Sequence, residues 1–318
     1  MKRTSLIFMS LLFVLTLILS GCSGAQDHKD QSADKGKTGQ NNQFPMTIKD
    51  ASGKKVTIEH QPKRIIPLVP SNTEIVYALG LGDHVVGVTD NDDYPAEVKE
   101  KPKVGGYQLN IEKILSLKPD LVLAQQLLGK QQIHRLRQSG LNVFVVKNPT
   151  SFKELYGSIQ MIAKMTGTGK KGDEVISGMK SKIKNVQEKL AKRPHPDKQK
   201  KVWVEISGPP EIYTTGKGTF MDEMLNKIDA KNAAESLSGF PKVSEEQAVK
   251  YNPDVIVLTY GGAKDIKKVE DRKAWNQVSA VKHHHVYTID EGIISRPGPR
   301  MAEGVVQLAK KVYPDAFK

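Results

Sequence analysis

The chain has 318 residues, a formal net charge of +13 at pH 7, 38% hydrophobic residues and a single cysteine, Cys22. One cysteine excludes a disulfide within the monomer and any metal site built from several cysteines. The lysines are spread along the chain without an arginine-rich, aromatic block, so we expect no nucleic-acid partner. A solvated surface accounts for the positive charge as well as any binding role does.

The first 21 residues have the pattern of a signal peptide. Lys2 and Arg3 form a positive start, and an apolar run of 14 residues from Leu6 to Leu19 follows. This run is shorter than the ~20 residues of a transmembrane helix. It ends in LSGC, which resembles a bacterial lipobox, so we expect cleavage before Cys22 and lipid attachment to its thiol. The alternative is an ordinary secretory signal that precedes a cysteine by chance.

Cleavage there would change both the charge and the location of the protein. Loss of Lys2 and Arg3 takes the net charge from +13 to +11, because no acidic residue precedes Cys22. A diacyl anchor of two chains is enough for stable attachment without a transmembrane helix. The mature protein is therefore predicted to lie on the extracytoplasmic face of the cell membrane, in contact with it through lipid alone.

The rest of the chain divides by composition. Residues 22–43 contain almost no apolar side chain, so they cannot bury enough surface to fold and are predicted to be a lipidated, flexible linker. The remainder is long enough for two modest lobes. We predict a first lobe over residues 44–150, connecting helices over 151–195 and a second lobe over 196–318.

The first lobe begins with alternating strand and helix patterns. Residues 64–69 are typical of a short buried strand. Ser71 and Glu74 have the spacing of a capping box, in which each side chain satisfies the other residue's backbone amide at the start of a helix. Residues 85–88 are predicted to form the next strand.

A long-range repeat relates the two lobes. Residues 111–124 read IEKILSLKPDLVLA and residues 245–258 read EEQAVKYNPDVIVL. Each predicts a short helix, a proline that ends it, and a strand that begins just after an aspartate. The alignment superposes Glu112 on Glu246 at a separation of 134 residues. The repeat therefore predicts two similar α/β halves.

Between the halves, residues 151–193 carry apolar side chains at helical spacing, interrupted by TGTG at residues 166–169. The second part of about 22 residues would form a helix ~33 Å long at 1.5 Å per residue. Lobes joined by one stiff helix cannot hinge far. The predicted fold is therefore α/β, with two pseudo-symmetric lobes joined by one long rigid helix and a ligand cleft between them.

Four stretches carry a resemblance to a known family: GVTDNDDYP at 87–95, VGGYQLNIEKILSLKPDLVLA at 104–124, YTTGKG at 213–218 and FPKVSEEQ at 240–247. With the repeat and the lipobox, their order and spacing resemble those of the cobalamin- and iron-siderophore-binding receptors of ABC importers. The resemblance covers residues 45–318 and is strongest to the cobalamin branch.

The resemblance implies that a large ligand lies between the lobes, wedged by aromatic side chains and touched by few hydrogen bonds. Matched by motif, the aromatic residue of the first lobe is Tyr107, and those of the second lobe are Tyr213 and Phe240. Buried ring surface would supply much of the affinity.

Four further ligand contacts follow from the same resemblance. Asp290 and Arg296 fall on a loop that in the family reaches the ligand's amide edge. Asn91 and Gln125 occupy positions where relatives have tyrosine and tryptophan, so this cleft is less aromatic than theirs.

The resemblance also implies a docking role for the repeat. Acidic residues at the positions of Glu112 and Glu246 pair with basic residues on the two permease subunits. The alternative is a local role, because the helix dipole favours a carboxylate in the first turn. The expected partners are a permease dimer with its ATPase subunits and a corrinoid or siderophore ligand. The receptor itself is expected to be a monomer without a cofactor.

Other interpretations stay open at this point. Within the family, the ligand could be an Fe(III)-siderophore or haem, and Arg296 could recognise an anionic ligand in a bidentate manner or form a surface pair. A different class would be a cell-envelope enzyme or an adhesion module. No nucleophile-elbow, metalloprotease or dinucleotide-binding motif is present, so we expect no enzyme activity. The three adjacent histidines at 283–285 cannot all face one ion from a strand, so we expect no metal site.

Overall fold

The computed structural model describes residues 44–318, so the predicted signal peptide, Cys22 and the predicted linker lie outside the described residues. This part of the chain opens with an antiparallel hairpin of strands β1 (Met46–Lys49) and β2 (Lys55–Ile58).

The first lobe is built on a three-stranded parallel sheet. Its strands lie in the order β3 (Ile65–Pro67), β4 (Leu121–Gln125) and β5 (Val143–Val146). Every residue of these strands is buried, as is usual for a parallel sheet that is covered on both faces. The other elements of this lobe are helices α1 (Pro70–Ala78), α2 (Ile111–Ser116) and α3 (Gly129–Gln138) and short 3₁₀ turns at Gly82–His84, Ala96–Glu100 and Gln126–Leu128.

Two helices follow the first lobe, α4 (Phe152–Met165) and α5 (Gly169–Ala191). Ser151 caps α4, because its side chain accepts a hydrogen bond from the Glu154 N–H at 3.2 Å. The interruption falls at Gly167, which has a φ of +70°. At 23 residues, α5 is ~34 Å long. The predicted pair of helices is confirmed.

The second lobe contains a six-stranded mixed sheet. Its main path runs in the order β11, β10, β6, β7 and β9, where β6, β10 and β11 are parallel, β7 and β9 are antiparallel, and β8 pairs with β6. The strands are β6 (Lys201–Ser207), β7 (Ile212–Thr214), β8 (Lys231–Asn232), β9 (Lys242–Val243), β10 (Val255–Leu258) and β11 (Val286–Thr288). The helices are α6 (Phe220–Lys227), α7 (Glu245–Tyr251), α8 (Ala263–Glu270), α9 (Ser279–Lys282), α10 (Glu291–Ile294) and α11 (Met301–Val312), with 3₁₀ turns at Lys273–Trp275 and Pro314–Phe317.

One apolar core runs through both lobes. It contains Ile65 and Leu121 of the first lobe, Met179 of α5, and Val204 and Leu308 of the second lobe. Helix α5 packs against α4 on one side and α11 on the other. The connecting helix is thus part of a shared core, and the predicted two-lobed α/β fold is confirmed. Between residues 44 and 318, no helix is both long and apolar enough to cross a membrane.

The repeat is visible in the hydrogen bonds. In the first lobe, the Asp120 carboxylate accepts from the backbone N–H of Lys63 (2.8 Å) and Arg64 (3.0 Å), just before β3. In the second lobe, the Asp254 carboxylate accepts from the N–H of Lys201 (2.9 Å), the first residue of β6. Lys118 and Asn252, the residues before the two prolines of the repeat, both have a left-handed backbone, with φ of 47° and 43°. Each aspartate therefore ties the strand that follows it, β4 or β10, to the start of the neighbouring parallel strand, β3 or β6.

Two local predictions are wrong. Helix α1 begins at Pro70 without a side-chain cap, so the predicted capping box does not form, and the Glu74 side chain points elsewhere. Residues 85–88 make isolated bridges to Ile65 and Lys103 instead of a strand, because the segment pairs with two neighbours in turn.

Candidate ligand-binding cleft

The carboxyl ends of the parallel strands in the two lobes adjoin. Helix α1 follows β3, and the segment 295–300 follows β11 and α10. The two meet where the Arg300 Nη2 donates to the Glu74 Oε1 at 2.6 Å. Ligands of open α/β sheets bind beyond the carboxyl ends of the strands. The loops at these ends therefore form the candidate cleft.

Tyr107 is the most exposed large hydrophobic residue of the described chain, at 91%. The turn that carries it is held at Gly105, which has a φ of +97° and whose Cβ, if present, would lie 2.3 Å from the Gln108 carbonyl oxygen. Only glycine fits there. The Asn91 Nδ2 lies 3.6 Å from the position of a Cβ on the next residue, Gly106. Asn91 therefore lies against the turn that carries Tyr107.

Tyr213 and Phe240 also lie close together. Tyr213 pairs with Lys242 across β7 and β9, and the Thr214 N–H donates to the Pro241 carbonyl at 3.1 Å. This register places Phe240 beside the end of β7. Phe240 is 60% exposed, whereas Tyr213 is half-buried. The second lobe therefore presents a two-ring surface.

The remaining predicted ligand contacts differ in how accessible they are. Asp290 is exposed at the carboxyl end of β11, just before α10. Gln125 ends β4 but is only 3% exposed, with its Nε2 3.5 Å from the Ser71 Oγ. Gln125 therefore offers little surface to a ligand. Leu127, two residues further on, is 72% exposed and offers much more.

Arg296 is already paired in this structure. Both of its terminal nitrogens donate to the Asp93 carboxylate in the other lobe, one of them at 3.0 Å. The hydrogen bond from Arg296 holds the pKa of the Asp93 carboxyl below its ordinary value. The side chain predicted to contact ligand thus bridges the lobes.

Arg300 makes a second bridge. Its Nε and Nη2 donate to the two Glu74 carboxylate oxygens at 3.0 and 2.6 Å, and its guanidinium lies 3.9 Å from the centre of the Tyr94 ring. Burial raises the pKa of Glu74, although Arg300 opposes the shift.

Sequence reasoning missed Glu74, Asp93 and Leu127. The ion-pair partners are 226 and 203 positions apart in the chain, and no local pattern marks such pairs. For Leu127, the available signal was an apolar residue two positions after the end of a buried strand.

Glu112 and Glu246 occupy equivalent helical positions. Each is the second residue of its helix, α2 or α7, and each is exposed. The side chain of the preceding cap residue, Asn110 or Ser244, accepts a hydrogen bond from the third residue of its helix. Neither glutamate is needed as a cap.

Two other features lie away from these loops. A cavity of about 590 Å³ lies at the amino ends of β10 and β11, between residues 193–200, which follow α5, and the end of α11. Of the three histidines, His284 faces Glu270 at 3.1 Å and His285 faces the Asp254 carbonyl at 3.2 Å, and the rings of His283 and His285 lie 5.9 Å apart. Over residues 44–318, no cluster of three or more His, Cys, Asp or Glu could hold a metal.

Comparison with known proteins identifies the family. Residues 65–292 match the family model described as periplasmic binding protein, and the chain belongs to this family. It is 49% identical over 321 residues to the uncharacterized ABC transporter substrate-binding lipoprotein YvrC of Bacillus subtilis strain 168, with 100% of both chains covered. The protein is therefore a substrate-binding protein of an ABC transporter.

Solved structures of similar fold support the family assignment. A possible iron-binding (periplasmic solute-binding) protein of Staphylococcus epidermidis has a TM-score of 0.72 at 36% identity, covering 80% of this chain and 100% of that one. The vitamin B12 binding protein BtuF of Vibrio cholerae has a TM-score of 0.68 at 28% identity, covering 81% and 99%. Because the family binds and does not transform its substrates, the expectation that the chain is not an enzyme is confirmed.

Proposed function

We propose that this protein is a lipid-anchored receptor on the extracytoplasmic face of the cell membrane that captures a corrinoid such as cobalamin. It delivers this ligand to a permease dimer with its ATPase subunits. The observation that carries the choice of ligand is the charge of the loops around the cleft.

Both arginines near the cleft are already neutralised. Arg296 is bound to Asp93, and Arg300 is bound to Glu74. Three acidic residues on the same loops, in contrast, are exposed and form no ion pair within the described chain: Asp90, Asp290 and Glu291. A ligand with several negative charges would meet these exposed carboxylates here. A corrinoid presents amide groups at its rim, and these can donate hydrogen bonds to carboxylates.

Exposed aromatic rings support a large, flat ligand. Tyr107 in the first lobe is 91% exposed, and Phe240 in the second lobe is 60% exposed. Exposed rings of this kind are typical of binding surfaces, where burial of ring area supplies affinity. The vitamin B12 binding protein BtuF shares the fold over 81% of this chain.

The runner-up ligand is an Fe(III)-siderophore or haem. It is supported by the likeness to the possible iron-binding protein of Staphylococcus epidermidis. For an anionic ligand to bind, Arg296 would have to exchange Asp93 for the ligand. That exchange is feasible because Asp93 is largely exposed.

Calorimetric titration of the mature chain tests the ligand class. We expect saturable binding of cobalamin and none of haem or a ferric tris-catecholate. As a matched variant, Asp93→Asn frees Arg296, so it should favour the anionic ligands while leaving cobalamin affinity within about 3-fold, as for an exposed pair. Binding of haem or the catecholate but not cobalamin would assign the runner-up. Binding of none of the three would contradict both the proposed ligand and the runner-up.

The membrane location rests on Cys22 and on the likeness to a lipoprotein of Bacillus subtilis. Cys22→Ser should abolish lipid labelling and release the protein from the membrane fraction. Unchanged labelling and fractionation of this variant would contradict the proposed anchor.

A further inference from the structure

One six-residue segment makes the polar contacts between the lobes. We call residues 295–300, SRPGPR, the strap. Between residues 44–150 and 196–318, the direct side-chain hydrogen bonds found in the described chain are four, and all come from Arg296 and Arg300 of the strap. Otherwise the lobes are joined through the connecting helices and apolar packing.

The two ion pairs of the strap differ in burial. The Glu74 side chain is 2% exposed and that of Arg300 20%, whereas the Asp93 side chain is 63% exposed. Exposed pairs contribute little, because water screens them. Removal of one partner from a buried pair leaves an uncompensated charge, which is strongly unfavourable. The buried pair is therefore the one that resists separation of the lobes.

The backbone around the buried pair is fitted to it. A Cβ on Gly298 would lie 3.0 Å from the Glu74 Oε2, so the strap passes close over the carboxylate. The Tyr94 ring stacks on the Arg300 guanidinium, which adds a cation–π contact from the first lobe. The Glu74 carboxylate, the backbone at Gly298 and the Tyr94 ring together hold Arg300 in one position relative to α1.

We propose that Glu74 and Arg300 are positioning residues that set the separation of the lobes, and hence the width of the cleft, without touching the ligand. The strap also carries Arg296 and follows Asp290, so the same pair places these candidate contacts. The effect on affinity rests on the proposed function. The effect on lobe separation does not, because it is measured without ligand.

Distances between spin labels test the proposal. Cys22→Ser removes the only cysteine, and Lys130→Cys with Lys264→Cys then places one label on an exposed site of each lobe. In the mature ligand-free chain, Glu74→Gln and Arg300→Gln should each broaden the distance distribution. Glu303→Gln is the matched control, since it removes an exposed pair with Lys182 one turn further along α11 and should leave the distances unchanged.

A double variant separates positioning from mere stability. Glu74→Gln with Arg300→Met leaves no buried charge unpaired, so it should recover much of the melting temperature lost by the single variants. If the pair positions the lobes, the distances stay broad in this variant. If they return to the parent distribution with the stability, the pair has only a stabilising role and the proposal is wrong.

Cobalamin affinity is the second readout. If lobe separation is coupled to ligand affinity, Arg300→Gln should weaken cobalamin binding by about 10-fold. Arg300→Lys keeps the charge and should weaken it less. Should the single glutamine variants not fold, the Glu74→Gln and Arg300→Met double variant decides: parent-like distances in it would overturn the proposal. Failure of the parent to bind cobalamin would contradict the proposed ligand and leave the distance test intact.

Discussion

At the scale of single residues, Tyr107 and Phe240 leave unusually large apolar surfaces in water. Truncation of an aromatic residue at a binding hot spot commonly costs ~2 kcal/mol, which corresponds to ~30-fold in affinity. We therefore expect Tyr107→Ala and Phe240→Ala each to weaken cobalamin binding about 30-fold in calorimetry. Tyr213→Ala should also bind cobalamin more weakly than the parent. Leu115→Ala, an exposed apolar residue on α2, is the control. Parent-like binding by all three aromatic variants would contradict the placement of the ligand.

Asp50 is a second residue with a specific consequence. Its carboxylate accepts hydrogen bonds from the hydroxyl of Ser52 (2.7 Å) and from the N–H of Ser52 (2.9 Å), Lys54 (3.0 Å) and Val145 (3.1 Å). It also pairs with Arg137, and together these contacts tie the β1–β2 hairpin to β5. Burial acts to raise the pKa of Asp50, but these bonds and the guanidinium hold it below its ordinary value.

A lowered carboxyl pKa makes stability depend on pH. The contribution is present above the unfolded pKa of about 4 and is lost as the pH falls through the folded pKa. Asp50→Asn should therefore cost about 2 kcal/mol at pH 7 in urea unfolding, with a difference from the parent that shrinks below pH 4. Asp83→Asn changes an exposed aspartate in the same lobe and should match the parent. A loss in Asp50→Asn that is equal at every pH would contradict this role.

At the scale of elements, the sequence predicts what local chemistry determines. A proline followed by an aspartate ends a helix and starts a strand in both lobes, and the hydrogen bonds of Asp120 and Asp254 explain why the same pair recurs. Glu74 shows where prediction from local sequence fails. Its spacing from Ser71 favours a cap, but a partner 226 positions away binds its carboxylate, and only the assembled fold brings that partner near.

The equivalent helices α2 and α7 carry the docking prediction. Glu112 and Glu246 are exposed at equivalent positions, and charged pairs at a rim govern encounter and register more than ligand affinity. Glu112→Ala with Glu246→Ala should leave cobalamin binding unchanged while uptake of labelled cobalamin by cells falls sharply. Glu245→Ala, the neighbouring carboxylate in α7, is the control. Normal uptake, or an equal loss of ligand binding, would show a local role for the two glutamates.

At the scale of the whole molecule, two independent connections limit lobe motion: the shared core along α5 and the strap. We expect free and cobalamin-bound forms to differ by only a few degrees of lobe rotation, so their X-ray scattering profiles should nearly coincide. The sequence predicts limited motion through the long helix. It does not predict the contribution of the strap, because the ion-pair partners of the strap lie in the other lobe. A large compaction on ligand addition would mean that the lobes hinge freely.

The central claim is that a corrinoid binds between the lobes. A crystal structure of the mature protein with cobalamin tests it most directly. We predict density for the corrin ring between Tyr107 and Phe240, with the Glu74–Arg300 pair intact and Arg296 still bound to Asp93. An empty cleft at saturating cobalamin, or ligand found only in the cavity at the amino ends of β10 and β11, would contradict the claim.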